Sequence, residues 1–265
     1  MRSLCFVCVL LLLAISIPIR ADDEFCGIRN TAFQSGESVT FKAYYALASV
    51  YFSAGEAVFN VNLEQLNGKA VYHLSGTGKS NSFVDDFFKV RDKYESYIDT
   101  GTLQPYKFIR NVNEGGYKTY ENITFNRTTG TAITTAGVFK VPSCIQDVLS
   151  SIFYARNIDF NKYKVQDTIP FSMFLDNQIY HLHIRYLGKE IIKTRYGKFR
   201  TIKFKPLLIK GTIFEGGEKM NVWVSDDSNH LPLRIESPVT VGKIYADMMS
   251  YRHPRYPLNS LISPR

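Results

Sequence analysis

Two short patterns hold the residue types that chemistry would need. Gly78-Lys79-Ser80 ends as a phosphate-binding loop ends. Such a loop needs a further glycine five residues before Gly78, so that backbone amides can wrap the phosphate. His73 stands there instead, and its ring excludes the wrap. The triplet is therefore expected to be a turn at a strand end. His181 and His183 are two residues apart, which on a strand puts both imidazoles on one face, as half a metal site would require. Arg185 continues that face, and a fixed cation beside a metal is unfavourable. The alternate residues Tyr180, Leu182, Ile184 and Tyr186 are the apolar ones, so the histidines are expected on a solvated outer face. His73 is likewise expected to be exposed, with His230 in a turn and His253 in the C-terminal tail. There is no Gly-x-Ser-x-Gly and no His-Glu-x-x-His. No catalytic residue, metal ligand or cofactor is assigned, and the chain is expected to be non-enzymatic.

Asp92 shares a strand face with Val90 and Tyr94, where a buried charge is costly without a partner. It is either a hydrogen-bonded structural carboxylate or a ligand anchor. Asp92, Tyr94 and Phe153 are the candidate ligand-binding residues. Cys26 and Cys144 are separated by 144 − 26 = 118 residues. They either pair, stabilising by roughly 4 to 5 kcal/mol on the chain-entropy model, or persist as buried thiols. Residues 189–210 carry Lys189, Lys193, Arg195, Lys198, Arg200, Lys203, Lys205 and Lys210 against Glu190. This basic hairpin is expected to be a solvated face whose lysines protect an edge, the alternative being contact with an anionic membrane surface or an acidic partner. Asn122-Ile-Thr and Asn126-Arg-Thr match glycosylation acceptors, which matters only in a eukaryotic source.

The elements that must position these residues begin after a secretory signal. Arg2 is followed by an almost wholly apolar run, Leu4–Ile17, then Pro18 and a small residue at Ala21. About 14 apolar residues are too few for a span of about 20. Residues 1–21 are expected to be removed, leaving 265 − 21 = 244 residues and a formal charge of +8 − 2 = +6. Cys5 and Cys8 leave with the signal. The expected location is periplasmic or secreted, and soluble, with no lipid anchor. Residues 22–265 have no Gly/Ser or Pro-rich linker and are expected to form a single mainly-β domain with an irregular tail from about 252.

Seventeen Tyr and nineteen Phe suit a pleated, half-buried surface. Period-two alternation recurs throughout. Ala57, Phe59, Val61 and Leu63 oppose Glu56, Asn60 and Asn62, and Asn67-Gly68 then marks a hairpin. Glu114-Gly115-Gly116 and Glu215-Gly216-Gly217 look like further turns. Ile202 and Phe204 alternate with lysines, and Leu231, Leu233 and Ile235 with Arg234 and Glu236. The expected fold is a curved antiparallel sheet or open half-barrel with one or two short helices packed on or in it. The clear helix is expected at 143–156, with Ser143 as N-cap, Gln146 completing a capping box, and Ile145, Val148, Leu149, Ile152 and Phe153 as its apolar stripe. A second is expected at 81–88, capped by Asn81.

Several blocks occur together in order. Gly36-Glu37 leads an aromatic strand, and Ala54-Gly55-Glu56-Ala57 begins the next. Val90-Arg91-Asp92 with Tyr94 and Ser96 precedes Pro105, Phe108, Arg110 and Glu114-Gly115-Gly116. Asp147-Val148-Leu149-Ser150 leads to Tyr154 and Arg156. Gly197-Lys198-Phe199, Trp223-Val224-Ser225-Asp226-Asp227, Leu231-Pro232 and Gly242-Lys243-Ile244 follow. Over about 33–250 the chain resembles a family of exported, functionally uncharacterised proteins of Gram-negative bacteria, a domain of unknown function. That family brings no catalytic residues. Its layout is similar to the periplasmic lipoprotein carriers, open half-barrels with helices closing an apolar cavity.

The expected function is an exported binding or carrier protein of the bacterial envelope for an apolar or amphipathic ligand, such as a lipid, a lipoprotein or an acyl chain. The site would be an aromatic-lined cavity capped by the helix at 143–156. The alternative is an envelope-assembly scaffold acting through the basic hairpin or a sheet edge. A monomer is expected, and no nucleic-acid partner.

Overall fold

The computed structural model describes residues 26–47, 50–211, 216–239 and 241–265. The expected signal segment and Glu215 of the second Glu-Gly-Gly turn lie outside the described residues. Fifteen strands are found among those described: β1 (Ser38–Leu47), β2 (Val50–Leu66), β3 (Lys69–Ser80), β4 (Arg91–Asp99), β5 (Pro105–Glu114), β6 (Tyr117–Asn126), β7 (Thr131–Thr134) and β8 (Gly137–Lys140), then β9 (Thr168–Leu175), β10 (Gln178–Lys193), β11 (Gly197–Pro206), β12 (Asn221–Ser225), β13 (Pro232–Pro238), β14 (Lys243–Arg252) and β15 (Leu261–Pro264). Hydrogen-bonded neighbours run β8-β7-β6-β5-β4-β3-β2-β1-β14-β13-β12-β11-β10-β9, with β15 paired to β11. The expected curved antiparallel sheet is present. The tail is irregular only between β14 and β15, because Leu261–Pro264 pairs antiparallel with the start of β11.

The turns explain the meander. Asn67 (φ 51°) and Gly68 (φ 78°) both take the left-handed conformation that joins β2 to β3 tightly. Register shifts after Thr40 and Ala43 in β1 and after Tyr186 in β10 mark bulges, which bend strands and increase twist. The sheet curls without closing: its path ends at β8 and β9.

The segment before the second helix covers the free edge of β9. Gln146 N donates to Ser172 O at 2.9 Å, and Phe174 N donates to Gln146 O at 2.9 Å. Backbone that pairs sideways with a strand cannot also begin a helix. The helix α2 therefore spans Val148–Ala155, not 143–156, and its N-cap is Asp147, not Ser143. Asp147 Oδ1 accepts from Ser150 N, and Ser150 Oγ accepts from Asp147 N, both at 2.8 Å, so the capping box is Asp–Ser without Gln146. The buried stripe shifts accordingly to Leu149, Phe153, Tyr154 and Ala155, while Ile152 is 39% exposed. The first helix α1 is shorter than expected, Ser82–Asp85, with Asn81 as its N-cap. Phe83 within it and Phe87 after it are exposed.

On the concave side α2 fills the space the sheet encloses. Leu149, Phe153 and Tyr154 pack with Phe33, Val61, Leu74, Ile98 and Phe204 in one core cluster. Phe153 meets the Phe33 ring edge-to-face at 5.1 Å. Burying each such side chain contributes about 1.5–3 kcal/mol. A second cluster joins Phe108, Ile123, Phe125 and Ile145 to Met173, Phe174 and Leu182, so side chains close the seam between β9 and β5–β7. Below α2, the Arg156 guanidinium is paired with Glu37 through Nη1–Oε1 at 2.5 Å and Nη2–Oε2 at 3.0 Å, both side chains being almost fully buried.

Candidate functional site

A groove of about 680 Å³ opens at the end of the sheet where β3 begins, β4 turns into β5, and β6 turns into β7. Its apolar wall is Phe125, Ile133, Val141, Pro142 and Ile145. Phe125 and Ile145 belong to the second core cluster, and Val141 packs against it, so the groove is the outer mouth of the seam. Cys144 also lines it, and Cys144 is joined to Cys26 with the two Cα atoms 5.5 Å apart. Of the two readings the sequence left open, the paired one holds. The bridge fixes residues 141–147, where Cys144 takes φ +63°.

The polar rim centres on Tyr106. Its hydroxyl donates to Asp99 Oδ2 at 2.6 Å and accepts from Arg127 Nη1 at 3.1 Å. Asp99 Oδ1 accepts from Thr102 N (2.7 Å), Thr102 Oγ1 (3.0 Å) and Gly101 N (3.0 Å). Burial pushes the Asp99 carboxyl up, but the hydrogen bonds from Tyr106, Thr102 and Gly101 outweigh it and hold its pKa well below the usual carboxylate range. Two cations lie over the Tyr106 ring: Lys69 Nζ is 5.3 Å and the Arg127 guanidinium 5.2 Å from its centroid. Arg127 Nη1 also reaches Asp99 Oδ2 at 3.1 Å.

None of these rim residues is a sequence candidate. Lys69, Asp99, Tyr106 and Arg127 are scattered over three strands and a turn, and only the β3–β4–β5–β6 register brings them together. Asp99-Thr-Gly-Thr102 is the one local signal, an aspartate whose side chain caps its own turn.

A family model described as a protein of unknown function, DUF3108, matches residues 40–249. The chain belongs to the DUF3108 family. The match spans almost the whole of the sheet, β1 to β14, and includes the groove. The fold is shared with a β-barrel-like protein of the DUF1849 domain of unknown function from Brucella abortus, at TM-score 0.56 and 6% identity, covering 83% of this chain and 98% of that one. A protein from Bacteroides fragilis named for a YmcC-like fold matches at TM-score 0.36 and 12% identity, covering 83% of this chain and 97% of that one. Comparison with curated proteins gave no match.

Asp92, Tyr94 and Phe153 do not line the groove of this DUF3108 chain. Phe153 is core. Tyr94 bridges the first two core clusters. Asp92 Oδ1 accepts from Asn113 N at 3.0 Å, and its carboxyl hydrogen-bonds Glu114. Burial, then the hydrogen bond that Glu114 donates to Asp92 and the Asp92 charge, push the Glu114 carboxyl up to about 7. Beside it Arg110 pairs with Glu121 and with Asp176 at the β9–β10 tip.

The remaining candidates are structural. Gly78-Lys79-Ser80 is the end of β3, with Lys79 paired to Glu56 at 3.6 Å. His183 and Arg185 share Glu218, and His181 Nδ1 lies 3.0 Å from Ser172 Oγ. His73 is not the free exposed residue expected: its ring sits between Glu64 (2.7 Å) and Glu95 (3.2 Å) and stacks on Tyr97. Among the described residues no cluster of three or more metal-ligating side chains forms, and no helix is long and apolar enough to cross a membrane.

Proposed function

We propose that the chain is an exported, non-enzymatic binding protein that holds an apolar or amphipathic ligand, such as a lipid or acyl chain, in the groove beside the disulfide. The observation that carries the reading is the open apolar wall of Phe125, Ile133, Val141, Pro142 and Ile145 beneath a polar rim. Its volume falls in the range of about 300–1,000 Å³ usual for small-molecule sites. The groove replaces the interior cavity expected from the sequence, because α2 occupies that space. Export is supported by the apolar leader and by a disulfide, which persists in oxidising compartments.

Contact with an envelope protein or membrane surface through the basic hairpin has less support. Lys189 pairs with Asp226, and Lys203 pairs with Glu190 and lies over Trp223. Arg195 lies over Tyr44, and Arg200 donates to Asn259 O. Much of its charge is engaged within the fold.

The test is mass spectrometry of lipid that co-purifies with periplasmically expressed protein, wild type against Ile133→Glu. Ile133 is 41% exposed in the groove, so a carboxylate there spares the core. Bound acyl lipid in the wild type, depleted in the variant, is expected. Equal lipid in both, or none in either, contradicts the proposal.

A further inference from the structure

The groove's rim is unevenly charged. Two cations, Lys69 and Arg127, lie over one ring, Tyr106, and one carboxylate, Asp99, faces them. That carboxylate is already engaged. Oδ1 takes three donors from the turn at 101–102, and Oδ2 takes the Tyr106 hydroxyl and Arg127 Nη1. Arg127 donates to Tyr106 through Nη1, and among the described residues its Nη2 and Nε make no hydrogen bond. Among the described residues Lys69 forms no ion pair; its contact is the ring of Tyr106. The ring fixes both cations without neutralising either, because a π face attracts a cation but accepts no charge-assisted hydrogen bond as a carboxylate would. One unit of positive charge is therefore uncompensated at the polar end of an apolar groove.

We infer that Lys69 and the free edge of Arg127 form an anion subsite for the carboxylate or phosphate-monoester end of an amphiphile, whose chain lies along Phe125, Ile133, Val141 and Ile145. This rests on the proposed groove reading and names its headgroup chemistry. An oxyanion at this rim gains charge-assisted hydrogen bonds from these cations that a neutral or cationic headgroup cannot make. Asp99 positions the rim: it accepts from the Tyr106 hydroxyl and pairs with Arg127.

The test is calorimetry with dodecyl phosphate, the neutral dodecyl maltoside and inorganic phosphate, each amphiphile below its micelle-forming concentration. The proteins are wild type, Lys69→Gln and Lys69→Arg. Lys69 is an exposed first residue of β3, so neither change disturbs the core. Dodecyl phosphate is expected to bind about tenfold tighter than dodecyl maltoside, an advantage lost in Lys69→Gln and kept in Lys69→Arg. Equal binding of the two amphiphiles, unchanged by Lys69→Gln, overturns the anion subsite and leaves the groove reading standing. Binding of inorganic phosphate alone, abolished by Lys69→Gln, keeps the subsite and overturns the amphiphile. No binding of any probe overturns both.

Discussion

Asp147 shows how one residue ties local structure to stability. It caps α2, accepts from Ser96 Oγ at 2.6 Å, and is wholly buried. Burial pushes its carboxyl up to about 6, against the hydrogen bonds from Ser150 and Ser96 that favour the charged form. A raised carboxyl pKa means that the folded state binds the proton more tightly than the unfolded chain. Its contribution is fully present below about pH 4 and is lost as pH rises through about 6. The amount is about 3 kcal/mol. Glu114, raised to about 7, acts in the same direction. Asp85 and Glu218, both lowered to about 2 by arginine partners, act oppositely but only under stronger acid. Asp147→Asn keeps the cap and removes the titration, so it should gain stability relative to wild type between pH 4 and 6. Urea denaturation of both proteins across pH 4–7 checks this, and parallel curves would contradict it. The sequence made Asp147 visible as part of a block, but not its burial. Its partner Ser96 comes from a distant strand, which no local pattern reports.

At the scale of elements, the strands were more legible than the helix. Alternation and the Asn67-Gly68 turn act within ten residues; β2 and β3 follow both, and β10 and β11 follow the alternation. The helix starts later than its local pattern implies, because Ser143 and Gln146 satisfy a capping pattern that the β9 edge overrides. The same long-range logic governs the Arg156–Glu37 pair, which ties the end of α2 to the strand entrance of β1. Arg156 also donates to Asn229 O at 3.2 and 3.1 Å, so three separate segments depend on one guanidinium. Glu37→Gln should leave that charge uncompensated in the core and destabilise by about 3–5 kcal/mol. Chemical denaturation reads this directly, and a loss below about 1 kcal/mol would show that the pair is not a keystone of the core.

For the whole molecule, an open sheet of this length exposes two problems at once, an unpaired edge and an unfilled concave face. Both are solved by one continuous segment. Residues 141–147 are tethered by the Cys26–Cys144 bridge, cover β9 through Gln146, and deliver α2 into the concavity. The consequence for function is that the interior is occupied and an apolar groove opens where that segment meets β6 and β7. The sequence showed a strand-rich chain with aromatic faces and no catalytic pattern. It did not show the groove, because Lys69, Tyr106 and Arg127 meet only through sheet register.

The most direct measurement is a backbone amide chemical-shift map of the isotope-labelled protein titrated with dodecyl phosphate. The account predicts shifts concentrated at 69, 99–106, 124–133 and 141–145. Shifts centred instead on the concave core around Phe33, Leu149 and Phe153, or no shifts at all, would contradict it.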